Sequence, residues 1–249
     1  MDELRKACAE VARQARHVTI VGDAVPGYAA QLPSTPAAAP DAAPATEAER
    51  EGRAAYWLTM DAINFGSGWF PTLRKRGTLS GYNTIAAALR DRFDRHGGWS
   101  AARLTQLDGA TLGPVLGQDP EHELMALYAA SLRDLGKHVA AGHDGSFAAV
   151  ADAAGGSAVA LVRRLGRWPS FADTSHYDGL TIPFLKRAQI AAADLHRAGV
   201  ARFLDLPQLT MFADNLVPHV LRLDGILRFD PDLTVRIDRE ELIVHGSGE

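Results

Sequence analysis

The chain has 249 residues, a formal net charge of −4 and 47% hydrophobic residues, enough for one large or two small globular domains. The acidic balance argues against general nucleic-acid affinity, which leans on a basic excess. The single cysteine, Cys8, excludes an internal disulfide and argues against a cysteine-built metal site. The opening Met-Asp-Glu-Leu-Arg-Lys begins no long apolar run, and no stretch is apolar for long enough to span a bilayer. The cytoplasm is therefore the expected location.

Residues 2–16 read as an amphipathic helix with Leu4, Cys8, Val11 and Ala12 at helical spacing, and Cys8 as a structural thiol. Val18-Thr19-Ile20-Val21 is a short β-like run ending at Gly22-Asp23. Residues 33–47, with Pro33, Pro36, Pro40 and Pro44, read as a flexible Pro/Ala-rich surface segment without chemistry. Helices are predicted at about 49–64, 81–95, 100–107, 120–141, 146–154 and 157–167. For the fourth, Asp119 is the expected N-cap and Pro120 the first helical residue. Its stripe is Leu124, Leu127, Tyr128, Leu132 and Leu135. Asp178-Gly179 between short strand-like flanks predicts one small β-hairpin. Pro183 is expected to open a helix to about Ala198, stopped by Gly199, and helices at about 216–227 and 231–238 close the chain. The fold class is mainly α, a single helical domain over 1–249 with at most a small hairpin.

The run from Leu209 to Leu221 places Asp214 in an apolar setting where a helix should begin. Asp214 or Asn215 is a natural N-cap for the helix holding Val217, Val220, Leu221 and Leu223. A helix N-terminus also favours the ionised carboxylate, the state needed to stabilise a developing cation or take a proton from water. Both roles can coexist. On the helix after Pro183, Leu185, Ala188, Gln189, Ala192 and Leu195 share a face. Lys186 borders that face and reaches either solvent or inward, toward a buried Asp or a substrate phosphate, while Arg187 is expected to point to water. In Thr59–Phe70 a helix ends near Asn64-Phe65, and Gly66 and Gly68 let the backbone turn and approach a ligand. Phe65, Trp69 and Phe70 are either core or a stacking wall for a planar base. Arg74-Lys75-Arg76, followed by the helix start Ser80-Gly81-Tyr82-Asn83, is either a solvated charge run or a phosphate site. No nucleotide-binding glycine loop, His-Glu-x-x-His or nucleophile elbow occurs. His122, His138 and His143 lack convincing metal spacing.

Four motifs occur in order: Asp61-Ala62-Ile63-Asn64-Phe65, Leu79-Ser80-Gly81-Tyr82, Phe184-Leu185-Lys186-Arg187-Ala188-Gln189-Ile190 and Thr210-Met211-Phe212-Ala213-Asp214-Asn215-Leu216-Val217-Pro218. With them the chain, from about residue 17 to about 243, resembles the queuosine salvage proteins, the queuosine 5′-phosphate N-glycosylase/hydrolase family. The resemblance implies a mainly α fold similar to that of DNA glycosylases. It implies hydrolysis of queuosine 5′-monophosphate to queuine and ribose 5-phosphate, with no metal or organic cofactor and no direct contact with nucleic acid or membrane. By match, Asp214 is the catalytic carboxylate and Phe212 lines the base pocket. Lys186 is carried over as a site residue, and Asn64 and Phe65 as substrate-binding residues. Cleaving an N-ribosidic bond builds positive charge on the ribose C1′ and O4′, which a fixed carboxylate stabilises. Queuine is a 7-deazapurine without the N7 that purine hydrolases protonate, so help for the leaving group must come from elsewhere on the base.

Two departures from the family pattern are expected to matter. The family's closing Leu-Trp motif and its C-terminal helices have no match here. The Pro/Ala-rich segment also stands where some members place a substrate-contacting His. An open pocket admits water and weakens electrostatic stabilisation. The competing readings are a base-excision DNA glycosylase, disfavoured by the acidic balance, and a catalytically impaired nucleoside-binding remnant.

Overall fold

The computed structural model describes residues 1–33 and 41–244; Pro36 and Pro40 of the Pro/Ala-rich segment lie outside the described residues. Helix α1 (Asp2–Gln14) carries Asp2 and Glu3 in its first turn and Arg13 in its last, charges that suit the helix dipole. Only Leu4 of its stripe is buried. Cys8 is exposed, which corrects the reading of a packed thiol. Strand β1 (Val18–Ile20) and helix α2 (Val25–Gln31) follow. The second was not foreseen because Pro26 and Gly27 are poor helix formers, although Pro in a first turn loses no hydrogen bond.

Helix α3 (Glu47–Ala62) starts at Thr46, whose hydroxyl accepts the Glu49 N–H. Helix α4 (Gly81–His96) is capped by Ser80, α5 (Ala101–Leu104) by Ser100 and α6 (Gly109–Val115) by Asp108. Helix α7 (Glu123–Gly142) begins three residues later than expected. Asp119 spends its carboxylate on a turn, accepting the Glu121 N–H, while His122 Nδ1 accepts the Leu124 N–H and caps the helix. Leu124, Tyr128, Leu132 and Leu135 are buried as expected, but Leu127 is exposed. Helices α8 (Phe147–Asp152) and α9 (Ala158–Leu165) start at Ser146 and Ser157. The carboxylates of Glu51 and Asp205 accept backbone N–H groups at these two helix starts, so both acids serve the fold.

Strands β2 (Thr174–Tyr177) and β3 (Leu180–Pro183) form the expected hairpin. Asp178 at φ 44° and Gly179 at φ 81° give the double positive φ that a two-residue hairpin turn requires. Pro183 ends β3 rather than opening a helix. Helix α10 (Lys186–Arg197) starts only after Leu185, which sits in the left-handed region at φ 49°. Gly199 at φ 69° follows its end as expected. Helix α11 (Leu216–Leu223) stops short of the predicted 227. The Gly225 N–H reaches the Arg222 carbonyl and the Ile226 N–H the Leu221 carbonyl, with Gly225 at φ 73°, a closed left-handed stop. Leu227, the expected helix end, instead opens β4 (Leu227–Phe229), which pairs antiparallel with β1, Ile20 opposite Leu227. This ladder adds to the expected hairpin. Helix α12 (Pro231–Asp238) is capped by Asp230.

The chain is mainly α and divides into two compact units. The smaller comprises residues 1–33, 174–184 and 211–244; it holds α1, α2, α11, α12 and both ladders. Within it Arg16 pairs with Asp178 at 2.7 Å, and the Asp230 N–H donates to the His17 carbonyl. The larger comprises residues 41–173 and 185–210. There α7 packs against α3, α5 and α6, and α10 packs against α3 and α9. Asp41 and Ala42 are tied to this unit by bonds to the Arg197 carbonyl and from Arg53. Among the described residues no helix is long and apolar enough to cross a membrane.

Candidate active site

In the larger unit the end of α3 is built around an acid. Asp61 lies in the helix's last turn, flanked by Leu58, Met60 and Ala62, and is itself buried at 1% exposure. Neither carboxylate oxygen has a hydrogen-bond partner of acceptable geometry among the described residues. Burial first, and then the charge of Asp194, push its carboxyl well above the usual range. Arg197, the Asn64 side chain and Lys186 pull the other way with less effect. Asn64 thus stands close enough to favour the anion without completing a well-formed bond. Asp194 is also raised: its burial outweighs the Arg197 guanidinium 3.0 Å away. Arg197 in turn lies 4.9 Å above the Trp57 ring. Tyr82 leaves part of its ring exposed, yet shielding of its phenol and the field of Asp61 and Asp194 push it up to about 12.

The segment that follows α3 is held rigidly. Ser131 and Arg187 both donate to the Ala62 carbonyl, at 2.6 and 3.0 Å, and the Tyr128 hydroxyl donates to the Phe65 carbonyl at 2.9 Å. The Phe65 ring meets Tyr128 edge-on at 5.1 Å, and the Arg187 guanidinium lies 4.9 Å from its centre. Gly66 has φ 90°, and a Cβ there would come 2.5 Å from Leu124 Cδ1. Glycine is therefore required twice over. Phe65 does not form a wall with its neighbours: Trp69 donates to Glu123 at 3.1 Å, and Phe70 packs against Gly81. A Cβ on Gly81 would lie 2.4 Å from Phe70 Cγ, which explains the small residue in the second motif.

The third motif divides its labour against expectation. Arg187 turns inward at 9% exposure. It donates through Nε to Asp173 Oδ1 at 2.6 Å, and its backbone N–H reaches Asp173 Oδ2 at 2.7 Å. The rigid, multi-donor guanidinium serves this half-buried carboxylate through Nε and the Ala62 carbonyl through Nη1 at once, so solvent was the wrong destination for it. Lys186 is half-buried, within the electrostatic reach of Asp61. Gln189 is fully buried and clamps Thr210. Its Oε1 accepts the Thr210 N–H at 2.8 Å, and its Nε2 donates to Thr210 Oγ1 at 3.0 Å. Thr210 is the residue from which Met211, Phe212, Ala213 and Asp214 continue.

Phe212 and Asp214 belong to the smaller unit, and both are half-buried. The Asp214 N–H donates to the Phe212 carbonyl at 2.8 Å, a tight turn that sets the carboxylate ahead of α11. Asp214 Oδ1 accepts the Leu216 N–H at 3.1 Å, whereas Asn215, the boundary residue, makes no side-chain cap. Capping by Asp214 is therefore real. The apolar stripe expected behind it is not a buried face: no α11 residue is buried, and Leu216, Val220 and Leu223 are exposed.

The larger unit thus gathers Asn64 and Lys186 around Asp61, and sets Phe65 against Arg187; the smaller unit presents Phe212 and Asp214. Sequence reasoning quoted Asp61 and Tyr82 inside motifs without giving them a role, and missed Asp194 and Arg197. Their signals were an acid within the apolar run Leu58–Ala62 and an Asp/Arg pair at i, i+3. The fold and these residues define a mainly helical protein with an acid-centred polar cluster and a helix-start carboxylate. Residues 43–249, which contain all four motifs, match the family model described as queuosine salvage protein, and the chain belongs to that family. A Sphaerobacter thermophilus protein is 36% identical over 209 residues, covering 80% of this chain and 65% of that protein. A mouse relative is 32% identical over 120 residues, covering 46% and 36%, and a Schizosaccharomyces pombe relative 33% identical over 120, covering 46% and 35%. All three bear the name queuosine 5′-phosphate N-glycosylase/hydrolase. The chain spans less than two thirds of the length of each.

Proposed function

We propose that the chain hydrolyses the N-ribosidic bond of queuosine 5′-monophosphate, releasing queuine for salvage into tRNA modification. The carrying observation is that a member of this family retains, at Asp214, a carboxylate fixed at a helix start beside Phe212. One oxygen is held by the Leu216 N–H, which fixes the direction of the negative charge before reaction. In this reading Asp214 sits beneath the ribose and stabilises the oxocarbenium-like state as the C1′–N bond breaks. The bond's electron pair leaves with the base, water attacks C1′ as Asp214 takes its proton, and the departing nitrogen takes up a proton from solvent, so the overall change is addition of one water. Phe212 and Phe65 contact the base, and Asn64 and Lys186 contact the polar parts of the nucleotide. We further propose a helix arrangement like that of DNA glycosylases, action in the cytoplasm, and no need for a metal or organic cofactor.

The test is release of queuine from queuosine 5′-phosphate by the purified chain, followed by liquid chromatography. Asp214→Asn keeps the shape and the Leu216 bond, and is expected to lose at least about 100-fold in kcat, the scale of a preorganised electrostatic group. Equal rates for wild type and variant exclude the assigned role. Substrate binding without turnover by the wild type identifies an impaired nucleoside-binding protein instead.

A further inference from the structure

The basic tripeptide Arg74-Lys75-Arg76 has no part in the reaction proposed above. It forms one wall of a cavity of about 490 Å³ in the larger unit, which Arg92 and Arg95 on α4 also line. The lining holds five Lys and Arg side chains against one carboxylate, Asp91. Arg74 also pairs with Asp119 at 3.1 Å, so a clear positive excess remains in a chain whose net charge is −4.

This wall is built on fixed backbone. Buried Gln118 accepts the Arg74 N–H at 2.9 Å and donates to the Arg74 carbonyl at 3.0 Å. Buried Thr84 accepts the Arg76 N–H at 3.1 Å. On α4, Asp91 holds Arg76 at 2.9 Å and Arg95 at 3.3 Å, orienting two guanidiniums with a single negative charge. Arg92 is set by its bond to the Gly97 carbonyl at 2.7 Å and lies 5.0 Å over the Trp99 ring. Thr84, Asp91, Arg92 and Arg95 share one face of α4. Tyr82, two residues from Thr84, is about 200° around the helix, toward the Asp61 cluster. The groove is therefore a separate place from that cluster.

We propose that this groove binds a small ligand carrying two or more linked phosphates. Guanidinium forks match phosphate oxygens bidentately, and five cations around one cavity exceed what a single phosphate neutralises, which calls for an anion with more than one charged group. The cavity lies within the usual range for small-molecule sites, about 300–1,000 Å³. Among the lining residues His96 carries the one aromatic ring and there is no Phe, Tyr or Trp, which argues against single-stranded RNA, whose binding grooves rely on successive base stacking.

Titration calorimetry of the full chain at low salt, with pyrophosphate and with inorganic phosphate, tests the proposal. Pyrophosphate is expected to bind at one site, at least about tenfold tighter than phosphate. Each of two wall variants, Arg76→Ala/Arg95→Ala and Arg74→Ala/Lys75→Ala, is expected to weaken it by about tenfold or more. All four side chains are on the surface, and circular dichroism verifies that the fold is kept. Unchanged pyrophosphate affinity in either folded variant overturns the proposal, as does equal affinity for the two anions. A single-stranded RNA that binds more tightly than pyrophosphate overturns the small-ligand assignment.

Discussion

Gln189 holds Thr210 by both ends of its side-chain amide, accepting the backbone N–H at 2.8 Å and donating to the hydroxyl at 3.0 Å. One fully buried side chain on α10 thereby fixes the start of the segment that runs on to Phe212 and Asp214. The third and fourth motifs are coupled through this clamp.

Gln189→Leu fills the same space but strips Thr210 of its partners. Leaving these polar groups unpaired is expected to cost about 2–3 kcal/mol, read as a lower urea midpoint at unchanged m.

Arg187 joins Asp173, the Ala62 carbonyl and the Phe65 ring. Arg187→Met breaks a largely buried pair from one side and is expected to destabilise the protein by about 3–5 kcal/mol. Arg187→Lys keeps the charge but not the fork and should recover only part of that loss. Thermal unfolding of the two variants separates charge from geometry.

Asp61 provides a pH test. Burial raises its folded carboxyl well above the ordinary carboxylate range, so the folded state holds its proton more tightly than the unfolded state. That contribution is fully present below the unfolded value and is lost as pH rises through the folded one. Asp61→Asn cannot titrate. The stability of the variant relative to wild type should therefore climb with pH, by up to about 1.4 kcal/mol per unit, and then level off. A pH-independent difference in urea unfolding would show that Asp61 does not hold its proton in the fold.

Gly66→Ala combines strain at φ 90° with a Cβ 2.5 Å from Leu124 Cδ1. The left-handed backbone adds about 1–2 kcal/mol and the overpacking about 1–3 kcal/mol, so a lower Tm is expected. Leu124→Ala in the same chain relieves the contact but not the backbone strain. A double-mutant cycle should return part of the loss.

The helical class, the Asp178-Gly179 hairpin, the Ser80 cap and the stop at Gly199 were all legible, because each rests on neighbours within a few residues. The resemblance in the four ordered motifs led to the right family. Local signals failed where a distant partner decided. The helix was expected to run to about 227, but Leu227 opens a strand because β1, some two hundred residues earlier, offers the other edge of the ladder. Asp119-Pro120 carries a good helix-start signal, yet its carboxylate serves a turn and His122 takes over the cap.

The sequence by itself determined the predominance of helix, the hairpin turn and the family, since propensity, turn chemistry and motif order are written along the chain. Tertiary structure alone decided which polar groups lie inside. Arg187 and Lys186 are adjacent in sequence, and nothing in their spacing says that the guanidinium goes in and the ammonium stays at the margin. That choice follows from Asp173 and the Ala62 carbonyl, which meet the planar fork from elsewhere in the fold. The burial of Asp61 likewise depends on α3, α4 and α10 closing around it, and desolvation is a property of that surrounding volume rather than of the residue.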